Sequence, residues 1–106
     1  MPQLVSEILD RTASSFASRP AMRHKVEGVW KDISWADYRD SSRHVAKAFI
    51  KLGLEPKGGV SIIGYNCPQW FMSDVGAILA GGVPAGIYTT CSPEQCQYIT
   101  EHCDAD

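Results

Sequence analysis

The apolar positions of this chain change period several times, and each change marks an element. Val5, Ile8, Leu9, Thr12 and Phe16 recur at three- and four-residue spacing, which puts them on one side of a helix running from about Gln3 to Ala17 and ending before Pro20. Two short runs follow, Ala21 to Lys25 and Val29 to Ile33, joined through Val26-Glu-Gly-Val29. They predict an antiparallel hairpin with Trp30 anchored on its sheet. Ser34-Trp-Ala-Asp37 has the form of a capping box, and Tyr38, Ser42, Val45, Phe49 and Leu52 make one stripe of the helix it opens. Gly53 is placed to close that helix.

The second half reads as parallel α/β structure. Val60-Ser-Ile-Ile-Gly-Tyr65 is a buried-strand pattern, Pro68 suits a first helical position, and Trp70, Phe71, Val75, Ile78 and Leu79 give the next helix a broad apolar face that Gly81-Gly82 ends. Val83 to Tyr88 predicts a second parallel strand despite Pro84, so the three elements make a βαβ unit with a right-handed crossover. Ser92-Pro-Glu-Gln95 repeats the capping logic and starts a last helix reaching about Cys103. A third parallel strand is expected to follow Asp106, because an open apolar sheet edge is an aggregation liability. The fold class expected is α/β: a partial three-layer unit with a short N-terminal hairpin and parallel βαβ strands flanked by helices, all within residues 1–106.

Composition narrows the function classes. With 106 residues, 44% hydrophobic and 21% charged, the chain fits one soluble globular unit or less. Ten basic and 12 acidic side chains give a formal net charge of -2 without a basic run, so nucleic acid is not an expected partner. Glu7 and Asp10 interrupt the apolar start, unlike a secretory signal, and the uncharged run Val75 to Pro93 is broken by Gly76, Gly81, Gly82, Pro84 and Gly86. Two buried elements explain it better than one transmembrane span, and a cytoplasmic location is expected. Cys67, Cys91, Cys96 and Cys103 are then reduced thiols, and their spacing with His102 matches no common zinc pattern.

The search for chemistry returns little. There is no G-x-x-x-x-G-K-[ST], no G-x-G-x-x-G after a strand, and Lys57-Gly-Gly59 precedes a strand instead of opening a helix. His24, His44 and His102 fall on different predicted elements, and no serine sits in a nucleophile elbow. Glu7 with Asp10 and Asp37 with Asp40 are helix-spaced acids near helix starts, where the backbone dipole favours negative charge without any catalytic purpose. Arg39, Arg43, Lys47 and Lys51, interrupted by Asp40, read as a solvated helix face. Trp70 and Phe71 could line an acyl pocket, although packing in the core is the stronger expectation. The site residues expected are therefore catalytic none, cofactor-binding none and metal none.

Several strings carry a family resemblance: Ile50-Lys-Leu-Gly-Leu-Glu55, Val60-Ser-Ile-Ile-Gly-Tyr-Asn66, Gln69-Trp-Phe71, Gly76-Ala-Ile-Leu-Ala-Gly-Gly82, Gly86-Ile-Tyr-Thr-Thr90 and Ser92-Pro-Glu-Gln95. Almost the whole chain resembles the N-terminal part of AMP-forming (ANL superfamily) long-chain fatty-acyl-CoA synthetases of the bubblegum type. The resemblance implies a long-chain fatty acid–CoA ligase that uses ATP, Mg2+ and CoA and meets membranes peripherally through its substrate, with the remainder of the synthetase domain as this segment's partner. The family's phosphate loop, its adenine- and ribose-binding motifs and its mobile C-terminal domain have no counterpart in these residues. The segment is expected to be a scaffold, inactive alone. A truncated noncatalytic module that binds another protein through its unfinished sheet edge is the alternative.

Overall fold

The computed structural model describes residues 4–105, in the order α1 (Val5–Ser15), β1 (Pro20–Val26), β2 (Val29–Ser34), α2 (Trp35–Lys51), β3 (Gly59–Ile63), α3 (Pro68–Leu79), β4 (Val83–Ile87) and α4 (Pro93–His102). Every element predicted within these residues is present, with ends shifted by a residue or two, and the third parallel strand expected after Asp106 lies outside the described residues. The expected start of the first helix at Gln3 lies outside the described residues.

Helix boundaries follow local chemistry. Ser34 Oγ accepts from the Asp37 amide at 3.1 Å, opening α2. Only that half of the expected capping box forms. At α4 both halves close: the Gln95 amide donates to Ser92 Oγ at 3.2 Å, and Gln95 Oε1 accepts from the Ser92 amide at 2.8 Å. A glutamine is one methylene longer than the aspartate at Asp37, which gives it the reach back to the cap. Pro68 and Pro93 occupy the first turns of α3 and α4, where a missing N–H costs nothing.

Three helices end the same way. After α2, the Leu54 amide bonds Phe49 O and the Gly53 amide bonds Ile50 O, both at 3.0 Å, with Gly53 at φ 103°. After α3, Gly82 bonds Ala77 O at 2.9 Å and Gly81 bonds Ile78 O at 3.0 Å, with Gly81 at φ 86°. After α4, Ala105 bonds Thr100 O at 3.1 Å and Asp104 bonds Glu101 O at 3.2 Å. Each is a Schellman motif, which needs a left-handed residue just past the helix. The third places Asp104 there, at φ 52°.

β1 and β2 pair antiparallel, with Val26 opposite Val29 across a turn whose central residues Glu27 and Gly28 have φ 51° and 79°. Two left-handed residues match the strand twist in a two-residue hairpin. Trp30 does not anchor this sheet: it is 63% exposed, with Lys25 Nζ 5.3 Å above its ring. Its cross-strand neighbour Lys25 covers it only from one side.

β3 and β4 pair parallel, Gly59 opposite Val83 through Ile63 opposite Ile87. The Val83 amide bonds Gly58 O at 2.8 Å, so by alternation Pro84 turns its donor-less nitrogen to the outer edge, where no ladder bond is lost. The two faces of this pair have different covers. Gly86, level with Ile62, faces Trp70 of α3, while Ser61 Oγ accepts from Thr100 Oγ1 of α4 at 3.3 Å. Side chains alternate along a strand, so α3 and α4 lie on opposite faces and three layers result. A parallel bridge joins Gly59 to Ala105, on the side of β3 away from β4. β3 is not fully buried as its pattern suggested: Ile63 is 55% exposed, because one neighbouring strand and two helices leave its end uncovered.

The core sits where α1, α2 and α3 meet above the strands. Leu9, Ala13, Ala46, Ala77, Ile87 and Ser42 are buried. Small residues set the approach of α2 to α3: a Cβ on Gly76 would lie 2.6 Å from Val45 Cγ1 and 3.1 Å from Ser42 O. The expected stripes are therefore only partly interior. Leu52 is 84% exposed at the C-cap of α2, and Val5 and Ile8 of α1 and Phe16 at its C-cap remain exposed.

Candidate functional site

A concavity lies at the carboxyl ends of β3 and β4, where open parallel sheets place their ligand crevices. It is a cleft of about 570 Å³ walled by Gly64, Tyr65, Asn66, Trp70, Tyr88 and Thr89. Its shape comes from two glycines. The indole of Trp70 lies across both strand ends: a Cβ on Gly86 would be 3.1 Å from its Cζ2, and one on Gly64 would be 3.8 Å from its Cδ1. The bare backbone gives the indole a place to lie, so Trp70 packs and lines the cleft at once. Phe71 meets Trp70 edge-on at 5.8 Å but is 45% exposed, so the expected core role holds for neither aromatic in full. Tyr65 and Tyr88, 83% and 82% exposed, flank the opening.

The chemistry available in the cleft is stacking and neutral hydrogen bonding, from the aromatic faces, the Asn66 amide and the hydroxyls of Tyr65, Tyr88 and Thr89. Among the described residues, no carboxylate, imidazole or ammonium lines it.

The other residues weighed from sequence are dispersed. His24 is on β1 with Nδ1 buried and unpartnered, His44 is exposed on α2, and His102 stacks on Tyr98 at 5.5 Å on α4. Glu7 Oε2 accepts from the Leu4 amide at 3.2 Å, and Asp10 pairs with Arg43 at 2.6 Å. Asp40 pairs with Arg39 at 3.1 Å. Glu7 and Asp37 lie in the first turns of α1 and α2, as expected, whereas Asp10 and Asp40 lie in the second turns and are held by arginines instead of the helix dipole. The four cysteines are free, half-buried thiols. Among the described residues no three His, Cys, Asp or Glu side chains converge as a metal site, and no glycine loop opens a helix as a phosphate cradle.

One group went unnoticed in the sequence. Asp74 sits on α3 between Phe71, Val75 and Ile78, and burial raises its pKa above the ordinary 3.8. Burial also raises the Tyr38 hydroxyl, with the Asp74 charge adding to the effect. The available signal was an acid at helical spacing inside an apolar stripe.

Comparison with known proteins gives this geometry a lineage. Residues 9–106 match the family described as AMP-binding enzyme. The chain belongs to that family. It is 43% identical over 105 residues to the long-chain-fatty-acid–CoA ligase ACSBG2 of Gallus gallus, covering 99% of this chain and 14% of the relative. It is 41% identical over 106 residues to ACSBG1 of Homo sapiens, covering 100% of this chain and 15% of the relative. The chain therefore spans about one-seventh of the length of these curated relatives. Among solved structures, the fatty acid AMP ligase of Legionella pneumophila superposes with a TM-score of 0.87 at 12% identity, covering 99% of this chain and 19% of that one. The N-terminal subdomain of Klebsiella oxytoca NpsA superposes with a TM-score of 0.88 at 14% identity, over 98% of this chain and 26% of that one. The AMP-binding fold thus carries this α/β arrangement as one part of a longer chain.

Proposed function

We propose that these residues are part of an ATP-dependent long-chain fatty acid–CoA ligase, forming a portion of its N-terminal subdomain and acting as scaffold for sites elsewhere in the polypeptide. The carrying observation is identity of 41–44% to ligases of that description, sustained over essentially the whole chain. Such a ligase joins the fatty carboxylate to AMP with release of pyrophosphate, then lets the CoA thiol displace AMP, so ATP, Mg2+ and CoA are its cofactors and cosubstrates. None of these reacting groups is held by a residue of this segment. Its contribution is mechanical: β3 and β4 with α3 and α4 on either face make a rigid platform at the edge of which further strands and loops are positioned. The location proposed is cytoplasmic, with any membrane contact peripheral. No helix among the described residues is long and apolar enough to cross a membrane.

The test compares the 106-residue chain with the polypeptide obtained by extending its transcript past Asp106, each incubated with hexadecanoic acid, ATP, Mg2+ and CoA. The extended polypeptide forms acyl-adenylate and then acyl-CoA, whereas the short chain forms neither. Acyl-adenylate from the short chain, or an extension without ligase activity on any long-chain acid, overturns the reading.

A further inference from the structure

The apex of the hairpin formed by β1 and β2 is apolar and exposed. Every residue from Lys25 to Asp32 is open to solvent, with Val29 at 60% and Trp30 at 63%. Cross-strand partners share a face of the ribbon, so Val26 with Val29 lies on one side and Lys25 with Trp30 on the other. Met22 and Ile33, at the base of the first side, are half-buried, whereas the two valines lie beyond that cover. The ladder runs up to Val26 and Val29, so the apex presents its apolar groups with the backbone beneath them paired.

The charges around the apex have one sign in excess. Pro20–Ser34 holds three cations, Arg23, Lys25 and Lys31, against two acids, Glu27 and Asp32. The hairpin is therefore net +1 in a chain of net -2, and the rest of the chain carries -3. Arg23 and Asp32 neutralise each other at 3.0 Å, which leaves Lys25 and Lys31 beside the apex against Glu27. Lys25 Nζ lies 5.3 Å above the Trp30 ring. A lysine stem along an indole, with the ammonium at the polar end, is the arrangement that places the ring at a water–lipid boundary and the cation among headgroups.

We infer that this hairpin apex docks on an anionic lipid bilayer, with Trp30, Val26 and Val29 entering the boundary between headgroups and acyl chains while Lys25 and Lys31 meet lipid phosphates. A turn apex with three apolar side chains is far smaller than the roughly 1,000 Å² that a specific protein interface buries, whereas an interfacial tryptophan needs only headgroup depth. The choice of lipid rests on the ligase reading, because a long-chain acid dissolves in bilayers better than in water. The charge asymmetry turns the hairpin, and not the acidic remainder, toward the anionic surface.

The test uses the polypeptide extended past Asp106 and two kinds of vesicle, phosphatidylcholine alone and equal parts phosphatidylcholine and phosphatidylserine, with binding read by co-sedimentation. Binding should favour the anionic vesicles and weaken as salt shortens the screening length. Trp30→Ser should weaken it about tenfold or more, and Val29→Ser should act in the same direction. Lys25→Gln and Lys31→Gln should each cost about fivefold on anionic vesicles only, and Glu27→Gln should strengthen binding there by a similar factor. Lipids brominated on the acyl chains should quench tryptophan emission, and Trp30→Phe should retain most of the binding while losing that quenching. Equal binding to the two vesicles, binding indifferent to Trp30→Ser, weaker binding in Glu27→Gln, or quenching that survives Trp30→Phe overturns the inference. A dimer in sedimentation that Trp30→Ser dissociates assigns the apex to a second copy and overturns it too. Binding is read without turnover, so absent vesicle binding leaves the ligase reading standing, and absent turnover leaves the docking result standing.

Discussion

Gly76→Ala separates tertiary packing from helix propensity with one methyl group. In an open helix the change is favourable by about 1 kcal/mol, because alanine loses less backbone freedom than glycine. Here the new Cβ would lie 2.6 Å from Val45 Cγ1, 2.8 Å from Val45 Cβ and 3.1 Å from Ser42 O. The first two contacts are with a β-branched side chain held near its own backbone, and the third is with helix backbone, so none can swing aside cheaply. Overpacking of this kind costs roughly 1–3 kcal/mol. The net expectation is a loss of up to about 2 kcal/mol, equivalent to roughly 4–8 °C in Tm per kcal/mol for a domain this small. The assay is urea unfolding of the 106-residue chain followed by tryptophan fluorescence, in a cycle with Val45→Ala. Removing the Val45 γ-methyls lifts the 2.6 Å contact but leaves Val45 Cβ and Ser42 O in place, so in that background the loss on Gly76→Ala should shrink without vanishing, with coupling above about 1 kcal/mol. A Gly76→Ala variant that gains the full helix-propensity increment in the wild-type background, or a cycle that is additive, refutes the close-approach argument.

Asp104→Gly should stabilise by about 0.5–1 kcal/mol in the same assay, because φ 52° past α4 suits glycine better than aspartate; a loss would mean the side chain has a role there. Ser42→Ala should raise stability by about 1 kcal/mol, since the Ser42 hydroxyl is buried without a partner and alanine fits the same volume. Its urea midpoint checks this, and a decrease would show that the hydroxyl is bonded in solution. Asp74→Asn tests the desolvated acid through pH. A folded-state pKa raised above 3.8 means that folding favours the protonated form, so stability is fullest below the unfolded pKa and declines as pH rises through the folded one. The variant and wild type should match near the bottom of the acid range, with the variant gaining on the wild type as pH climbs toward neutrality. A difference independent of pH would show that Asp74 does not titrate as argued.

Much of this fold was legible locally. The Ser92-Pro-Glu-Gln95 cap, the Gly53 and Gly81 terminators, the Glu27-Gly28 turn and the βαβ order each rest on interactions within a few residues, so short-range pattern carries them. The resemblance also gave the ligase lineage that the comparisons support. Other features depended on what approaches from afar. Trp30 has the composition of a sheet anchor, but whether an aromatic is covered depends on the neighbour across the hairpin, and only Lys25 is there. Ser42 was one member of an apolar stripe until Gly76 brought α3 against it, and Asp74 was an ordinary helical acid until packing partly desolvated it and brought it within electrostatic reach of Tyr38 on α2. The cleft beside Trp70 likewise needed the indole to reach both Gly86 of β4 and Gly64 just past β3, on segments brought together only by the parallel register. The sequence by itself determined the elements and their caps, because those depend on dihedral preference and periodicity, while the lineage came from its resemblance to a known family. Only the tertiary structure decided exposure, crowding and the state of Asp74, because burial and desolvation depend on residues far apart in the chain.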